Sequence, residues 1–126
     1  MMKETIQTKD APAAVGPYSQ GMRADDLIFV SGQLPATPDG DLITDDIAAA
    51  TRQSLENVSA ILKAAGASLA DVVKVTVFLA DMADFGAMNE VYKEFFSEPY
   101  PARAAVAVKT LPKGAPLEIE AIACVS

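Results

Sequence analysis

The sequence predicts an α+β fold in which one mixed sheet carries two helices on one face. Two stretches place apolar residues at helical spacing, and six others are short apolar segments typical of strands. Their order is strand-strand-strand-helix-strand-helix-strand-strand, which favours a sheet with helices packed on it. At 126 residues the chain has room for one domain, expected to span residues 1–126.

Three strands are predicted in the first third of the chain. Residues 3–8 form a short strand and are followed by a turn-rich segment at 10–17. Residues 18–23 and 27–31 then form a hairpin that turns at residues 24–26, where Ala-Asp-Asp interrupts the apolar pattern. The sheet therefore begins with antiparallel neighbours.

The first helix is predicted at residues 45–65. Its apolar positions recur every three or four residues, and Gly66 is a natural C-terminal stop. Asp45 and Asp46 lie where the positive end of the helix dipole favours anions. The periodic positions are Ile47, Thr51, Leu55, Val58, Leu62 and Ala65.

The second half predicts one strand, a second helix and two further strands. Residues 72–80 are rich in β-branched side chains and form the strand. Asp84 is expected to cap a helix that runs to about Phe96, before two prolines end it. The last strands occupy residues 102–109 and 117–124, joined by the Pro- and Gly-containing turn at 111–116.

Charge and composition exclude several classes of protein. The formal net charge of −7 weighs against binding nucleic acid or anionic lipid, which needs an excess of Lys and Arg. The polar N-terminus and the short apolar runs predict neither a signal peptide nor a membrane span. Cys124 is the single cysteine, so no internal disulfide forms. We therefore expect a cytoplasmic protein.

The chain contains no histidine, which limits the chemistry available to it. A Ser-His-Asp or Cys-His nucleophile is excluded, and the commonest zinc ligand is missing. We expect no metal site and no cofactor. Acid–base chemistry would have to use Asp, Glu, Tyr, Lys, Ser or water.

The predicted sheet is apolar on both faces. Alternation divides residues 72–79 into one side with Val73, Val75, Val77 and Leu79 and another with Val72 and Phe78. The hairpin strand is similar, because it sets Leu27 and Phe29 opposite Ile28 and Val30. Helices on one face leave the other to long loops or to another subunit. We favour another subunit, which makes sites between subunits plausible.

Arg103 and two glutamates are the candidate reactive groups. Alternation puts Arg103 on one face with Ala105 and Ala107, whose small side chains leave space around the guanidinium. Glu118 and Glu120 share one face of the last strand. If the last two strands pair as a hairpin, all three charges can lie on one face. The result would be either a cross-strand ion pair at a sheet edge, or a site where arginine binds a carboxylate and glutamate handles a proton.

Other polar residues are weaker candidates when each is taken alone. Tyr18 follows a Gly-Pro turn and can bring a hydroxyl and an aromatic wall to a pocket. Ser31 and Gly32 follow a strand, where backbone groups can approach a ligand closely. Asn89 lies within the second helix. Lysines can form Schiff bases, but surface charges are the expected role of Lys74, Lys109 and Lys113.

Several separated motifs resemble the RidA/YjgF family from one end of the chain to the other. The resemblance begins with Ala11-Pro12-Ala13-Ala14-Val15-Gly16-Pro17-Tyr18-Ser19-Gln20 and Phe29-Val30-Ser31-Gly32-Gln33. It continues with the segments at 71–79 and 88–92. It ends with Pro99-Tyr100-Pro101-Ala102-Arg103 and with residues 118–123. Their common order makes the match far more specific than any single motif.

The resemblance implies a fold, an assembly and an activity. The fold is chorismate-mutase-like, and the assembly is a homotrimer with three clefts between subunits. The activity is that of a 2-iminobutanoate/2-iminopropanoate deaminase, which removes reactive enamines and imines released by pyridoxal-phosphate enzymes such as threonine dehydratase. The ligand is then a small 2-imino or 2-oxo acid, and no cofactor is needed.

The resemblance also assigns roles to individual residues. Arg103 matches the family's carboxylate-binding arginine, and Glu118 matches its water-orienting acid. The cleft is lined by residues that match Tyr18, Ser31, Gly32 and Asn89. Many relatives have cysteine where this chain has Ala105, which puts any thiol-based regulation in doubt.

Two other classes of function stay open on the sequence. Some family members have been described as translation inhibitors or endoribonucleases, although the net charge disfavours RNA. A non-enzymatic regulator could use the same cleft to bind a small carboxylate.

Overall fold

Six strands form one mixed sheet in the computed structural model, which describes residues 2–126. Two helices interrupt the strands along the chain at the predicted places. The elements are β1 (Lys3–Ile6), β2 (Gly21–Ala24), β3 (Leu27–Gln33), α1 (Ile47–Ala64), β4 (Val72–Leu79), α2 (Phe85–Phe95), β5 (Ala102–Ala107) and β6 (Leu117–Cys124). The predicted α+β architecture is therefore confirmed.

The strand order across the sheet is β1-β2-β3-β6-β4-β5. All neighbours are antiparallel except β4 and β5, which are parallel and joined through α2. The hairpin considered for the last two strands does not form, because β6 pairs with β3 and β4 while β5 pairs with β4 at the edge. A parallel pair needs a crossover connection, and α2 supplies it between β4 and β5. After β5 the chain returns past β4, and β6 inserts between β4 and β3 at the centre of the sheet.

The hydrophobic core lies between the helices and one face of the sheet, called here the helix face. Alternate residues of β4 and β6 point into it, and Ile28 and Val30 do so from β3. The predicted core positions Leu55, Val58 and Leu62 of α1 are fully buried, as is Ile61. The residues on β4 and β6 are Val75, Val77, Leu79, Leu117, Ile119, Ala121 and Ala123.

Two β-bulges change which side chains face the core. One lies between Val72 and Lys74 of β4, and it buries Val72 and exposes Val73. The prediction placed Val73 on the side of Val75 and Val72 on the other side. The structure shows the reverse, because strict alternation fails where a strand carries an extra residue. The second bulge lies between Val30 and Gln33 of β3, and it leaves Ser31 and Gly32 outside the regular pairing.

The second face of the sheet, called here the open face, has no helix on it. Phe29 and Val106 are 40% and 43% exposed, and Leu27 is similarly uncovered. Among residues 2–126, long loops therefore do not fully cover this face, contrary to the first of the two predicted arrangements. Within those residues, neither helix has the length and apolar composition to cross a bilayer.

Helix α1 begins at Ile47, two residues after its predicted start, and α2 lacks the side-chain cap predicted for it. The Asp46 carboxylate accepts a hydrogen bond from the Ala49 backbone N–H at 3.2 Å and so caps α1. Asp84 occupies the N-cap position of α2 without a side-chain cap bond. The capping bond is made one turn earlier, where the Asp81 carboxylate accepts from the Ala83 N–H at 2.9 Å. A helical turn at Met82–Asp84 precedes α2 and explains the displacement.

Replacing Asp46 with alanine is expected to destabilise the protein by about 1 kcal/mol, because an N–H at the start of α1 loses its acceptor. The melting temperature should fall by about 2–5 °C for a domain of this size. Thermal unfolding at a fixed protein concentration measures it. Asp84→Ala is the matched control, since its carboxylate makes no cap bond. Equal losses from both replacements would contradict the assignment.

Candidate functional site

Arg103 lies on the helix face at the edge of the sheet, against α2. Its position on β5 is paired with Val75 of β4, which is a core residue. The guanidinium donates a hydrogen bond to the Asn89 side-chain oxygen at 2.6 Å. It lies 4.7 Å from the centre of the Tyr92 ring and 5.5 Å from that of Phe85. These three partners are spaced four and three residues apart, so they share one face of α2.

The arginine borders an open recess of about 430 Å³. The ion pairs found among residues 2–126 are Arg52 with Glu94 and Lys93 with Glu90, so no carboxylate neutralises Arg103 there. The alternative of a cross-strand ion pair is therefore wrong. A guanidinium has five N–H donors in a planar fork suited to a carboxylate, and Asn89 takes one of them. The recess is lined by Asn89, Tyr92, Lys93, Tyr100, Pro101 and Arg103.

Tyr92 forms the inner wall beneath the guanidinium. Burial raises the pKa of its hydroxyl, and the positive charge of Arg103 offsets part of that effect. Its ring also packs on Phe96, with 4.6 Å between ring centres. The sequence did not identify this residue as functional. Its spacing of three from Asn89 on a helix was the available signal, but that spacing is equally typical of core positions.

Glu118 lies on the open face of β6, next to the bulge in β3. A Cβ atom added to Gly32 would come within 2.7 Å of the Glu118 carboxylate oxygen Oε2, so glycine is what allows this close approach. Burial raises the pKa of Glu118 above its usual 4.5, and the charge of Glu120 on the same face raises it further. A half-buried carboxylate with a raised pKa is a candidate general base.

Tyr18 and Ser31 lie on the same side of the molecule as Glu118. Tyr18 precedes β2, contrary to the predicted start of that strand, and its side chain is 52% exposed. It borders a cavity of about 440 Å³ with Ser31 and Glu120, and another of about 220 Å³ with Gly32 and Lys113. The Ser31 hydroxyl donates to the Ser19 carbonyl at 2.5 Å. Its one proton is therefore committed within the chain.

The predicted site residues thus form two groups on opposite faces of the sheet. Arg103 and Asn89 lie on the helix face, while Glu118 and Glu120 lie on the open face with Gly32 nearby. Arg103 and the glutamates therefore do not share a face, because that arrangement depended on a hairpin that does not form. A single chain does not bring the two groups together.

The lysines lie outside the Arg103 recess, apart from Lys93. Lys74 is directed along the open face, with its ammonium 3.3 Å from the Thr76 hydroxyl. Lys109 and Lys113 are exposed as predicted. Lys113 has a backbone φ of 59°, unusual for a residue with a side chain, and it borders the same cavity as Tyr18 and Gly32. Its position next to the site was not predicted.

Comparison with known proteins identifies the family. A family model described as Endoribonuclease L-PSP matches residues 8–125. The 2-iminobutanoate/2-iminopropanoate deaminase of Escherichia coli K12 is 49% identical over 125 residues, which is 97% of this chain and 98% of that protein. The chain belongs to the RidA/YjgF family. The resemblance stated from the sequence motifs is thereby confirmed.

Other RidA/YjgF relatives agree along the whole chain. A RutC family protein of Pyrococcus horikoshii is 56% identical over 123 residues, which is 97% of this chain and 98% of that protein. The crystal structure of E. coli TdcF with bound serine superposes with a TM-score of 0.92 at 49% identity, covering 98% of this chain and 99% of that one. The α+β architecture is thus shared with solved RidA/YjgF structures.

Proposed function

We propose that the protein hydrolyses the C=N bond of small 2-imino acids, such as 2-iminobutanoate and 2-iminopropanoate, to 2-oxo acids and ammonia. The observation that carries the proposal is the exposed Arg103 guanidinium, which faces an open recess with no carboxylate paired to it. An E. coli relative named as a deaminase of these two imines supports it. So does the serine bound to TdcF, because serine is a small 2-amino acid of similar shape.

Arg103 binds the substrate carboxylate in a two-pronged contact. The hydrogen bond that the guanidinium donates to the Asn89 side-chain oxygen and the aromatic rings beneath hold the guanidinium in one orientation before the ligand arrives. Asn89 is a neutral partner, so the positive charge stays available for the substrate. Fixing the carboxylate fixes the position of C2, the atom that water attacks.

Glu118 activates the water. The protonated imine is electrophilic at C2, and Glu118 removes a proton from water as the new C–O bond forms. Glu118 then returns that proton to the nitrogen of the carbinolamine. Ammonia leaves as the hydroxyl proton passes to the freed Glu118 carboxylate, which leaves the 2-oxo acid. Such imines hydrolyse unaided, so placement of water and the charge of Arg103 supply all the acceleration that is needed.

The proposed site joins two copies of the chain, because Arg103 and Glu118 lie on opposite faces of one sheet. The open face of one copy, with Glu118, Gly32 and Tyr18, meets the Arg103 recess of another. The exposed apolar side chains of the open face support such an association. A homotrimer would repeat this contact in a closed ring and form three equal clefts.

The test is to generate 2-iminobutanoate from threonine with threonine dehydratase and to add this protein in the presence of semicarbazide. Semicarbazide traps the imine, so a protein that hydrolyses the imine first slows formation of the semicarbazone. Slower trapping and faster release of ammonia are expected. A folded, assembled protein that changes neither rate would contradict the proposal.

The activity should decline in acid, and the midpoint of the decline should lie above pH 4.5, the usual pKa of a glutamate side chain. Glu118 must be ionised to act as a base, and burial and the Glu120 charge both raise its pKa. Activity therefore falls as the pH drops through that raised value. Glu120→Gln removes the second cause and should move the acid limb of the kcat profile to lower pH. A limb that stays in place would contradict the identity of the base.

The name of the family model makes RNA cleavage the second candidate. The net charge of −7 opposes it, because RNA binding depends mainly on phosphate contacts with Lys and Arg. Two results would favour RNA cleavage over imine hydrolysis. The cleavage should weaken steeply as salt is added, and its specific activity should stay constant as the protein passes through successive purification columns.

A further inference from the structure

Gln20 is buried, and its side-chain amide is bonded entirely to one backbone segment. Its oxygen accepts from the Thr8 N–H at 2.7 Å. Its nitrogen donates to the carbonyls of Pro12 at 2.8 Å, Thr8 at 3.1 Å and Ala11 at 3.3 Å. These contacts use the acceptor and both donors of the amide. Only 3% of the residue is exposed, so water cannot readily replace them.

These bonds close the loop that carries Tyr18. Residues 13–19 lie between Pro12, which the Gln20 amide holds, and the Gln20 backbone itself. The other end is held by Ser31, whose N–H donates to the Gln20 carbonyl at 2.9 Å and whose hydroxyl donates to the Ser19 carbonyl. Both ends of the loop are therefore held where the start of β2 lies beside Ser31 of β3.

The Tyr18 ring is only half buried, and it lies beside Gly16 of its own loop. The side chain is half exposed, and its backbone N–H bonds within the loop to the Gly16 carbonyl at 2.8 Å. The position of the ring is then set by where the loop is closed. A loop closed before a ligand arrives avoids the entropy cost of ordering it on binding.

We propose that Gln20 is a positioning residue, which holds Tyr18 at the ligand cleft by fixing residues 8–12 onto the start of β2. Gln20 lies behind the loop and touches no substrate. The inference rests on the proposed function, in which Tyr18 lines that cleft.

The kinetic test uses Gln20→Met, which keeps the length of the side chain and removes its hydrogen bonds. KM for the imine is expected to rise about 3- to 10-fold, the scale set by ordering a mobile loop and ring on binding, with a smaller change in kcat. In a Tyr18→Ala background the same replacement should have little further effect. Thr51→Val is the control, because it removes one buried hydrogen bond of 2.7 Å within α1, away from the loop. An equal KM effect with and without Tyr18 would overturn the proposal.

A second measurement does not depend on turnover. The chain has no tryptophan, so Tyr18→Trp introduces a single fluorescent reporter at the loop. Adding Gln20→Met should lower the fluorescence anisotropy of that indole and increase its quenching by acrylamide, whereas adding Thr51→Val should change neither. Unchanged anisotropy and quenching in a folded protein would overturn the role of Gln20, even if the protein were an active deaminase. If the indole becomes more mobile but the native protein hydrolyses no imine, the result contradicts the proposed function and leaves the role of Gln20 standing.

If Gln20→Met does not fold, Gln20→Glu serves in both measurements. It retains an acceptor for the Thr8 N–H but, when ionised, loses the donors to the Thr8, Ala11 and Pro12 carbonyls. The same directions are expected, and an immobile indole would overturn the proposal in that variant as well.

Discussion

Arg103→Ala is expected to lower kcat/KM for 2-iminobutanoate by about 30-fold to several-thousand-fold, the range for removing one partner of a desolvated charge pair. The loss should be largest for substrates that carry a carboxylate next to the imine. The fold should be retained, because the side chain is exposed and its contacts are one hydrogen bond and two aromatic rings. The semicarbazide assay and a melting curve measure the two effects.

Arg52→Ala is the matched control for this replacement. Arg52 is also an exposed arginine lying over an aromatic ring, at 5.8 Å from the centre of Phe95, and it makes an ion pair with Glu94. Both replacements remove one positive charge, so they alter the net charge equally. Arg103→Lys should restore only part of the activity, because an ammonium cannot form the planar two-pronged contact. Equal activity of Arg103→Ala and Arg52→Ala would remove the carboxylate contact from the mechanism.

Two inactive variants should restore activity when their chains are mixed. Glu118→Gln alone is expected to lower kcat by about 10²- to 10⁴-fold, because the water loses its base. If each cleft takes Arg103 from one copy and Glu118 from another, random mixing of the Arg103→Ala and Glu118→Gln chains rebuilds about a quarter of the clefts intact. The mixture should then have about that fraction of the native activity. Unfolding and refolding the chains together, followed by the semicarbazide assay, measures it.

The control for the mixing experiment is a chain with both replacements. Mixed with Arg103→Ala it should restore nothing, because no copy then has the arginine. Native mass spectrometry establishes that mixed assemblies formed. Mixed assemblies that remain inactive would mean that one chain supplies both residues to each cleft, in conflict with their placement on opposite faces of the sheet.

Local pattern in the sequence was sufficient for the elements but not for their arrangement. Helix α1 and strand β6 lie close to their predicted positions, because periodicity depends on neighbouring residues. The place of β6 between β3 and β4 depends on contacts between residues distant in sequence, which periodicity does not contain. The bulge at Val73 likewise results from pairing with β6, so alternation alone assigned that valine to the wrong side.

The candidate site was predicted to a similar degree. Arg103, Asn89 and Glu118 were identified from residue type and family resemblance. Their distribution over two faces required the strand order, and the Tyr92 contact required knowing which strand packs on α2. The hydrogen bond from the Ser31 hydroxyl to the Ser19 carbonyl joins residues twelve apart in sequence, so no local pattern predicts it.

The bulge in β3 contains a residue, Gly32, that the pairing of the sheet does not need but that lies against Glu118 of the proposed site. From Val30 to Gln33 the strand advances three residues while β6 advances two, from Ala121 to Ile119. A strand shortened by Gly32 would keep Val30 and Gln33 on the same face and in the same pairing, so the sheet could close without it. The residue that is spare for folding is the one against which the Glu118 carboxylate packs. Deletion of Gly32 is therefore expected to spare the fold while removing the close approach between the β3 backbone and the Glu118 carboxylate.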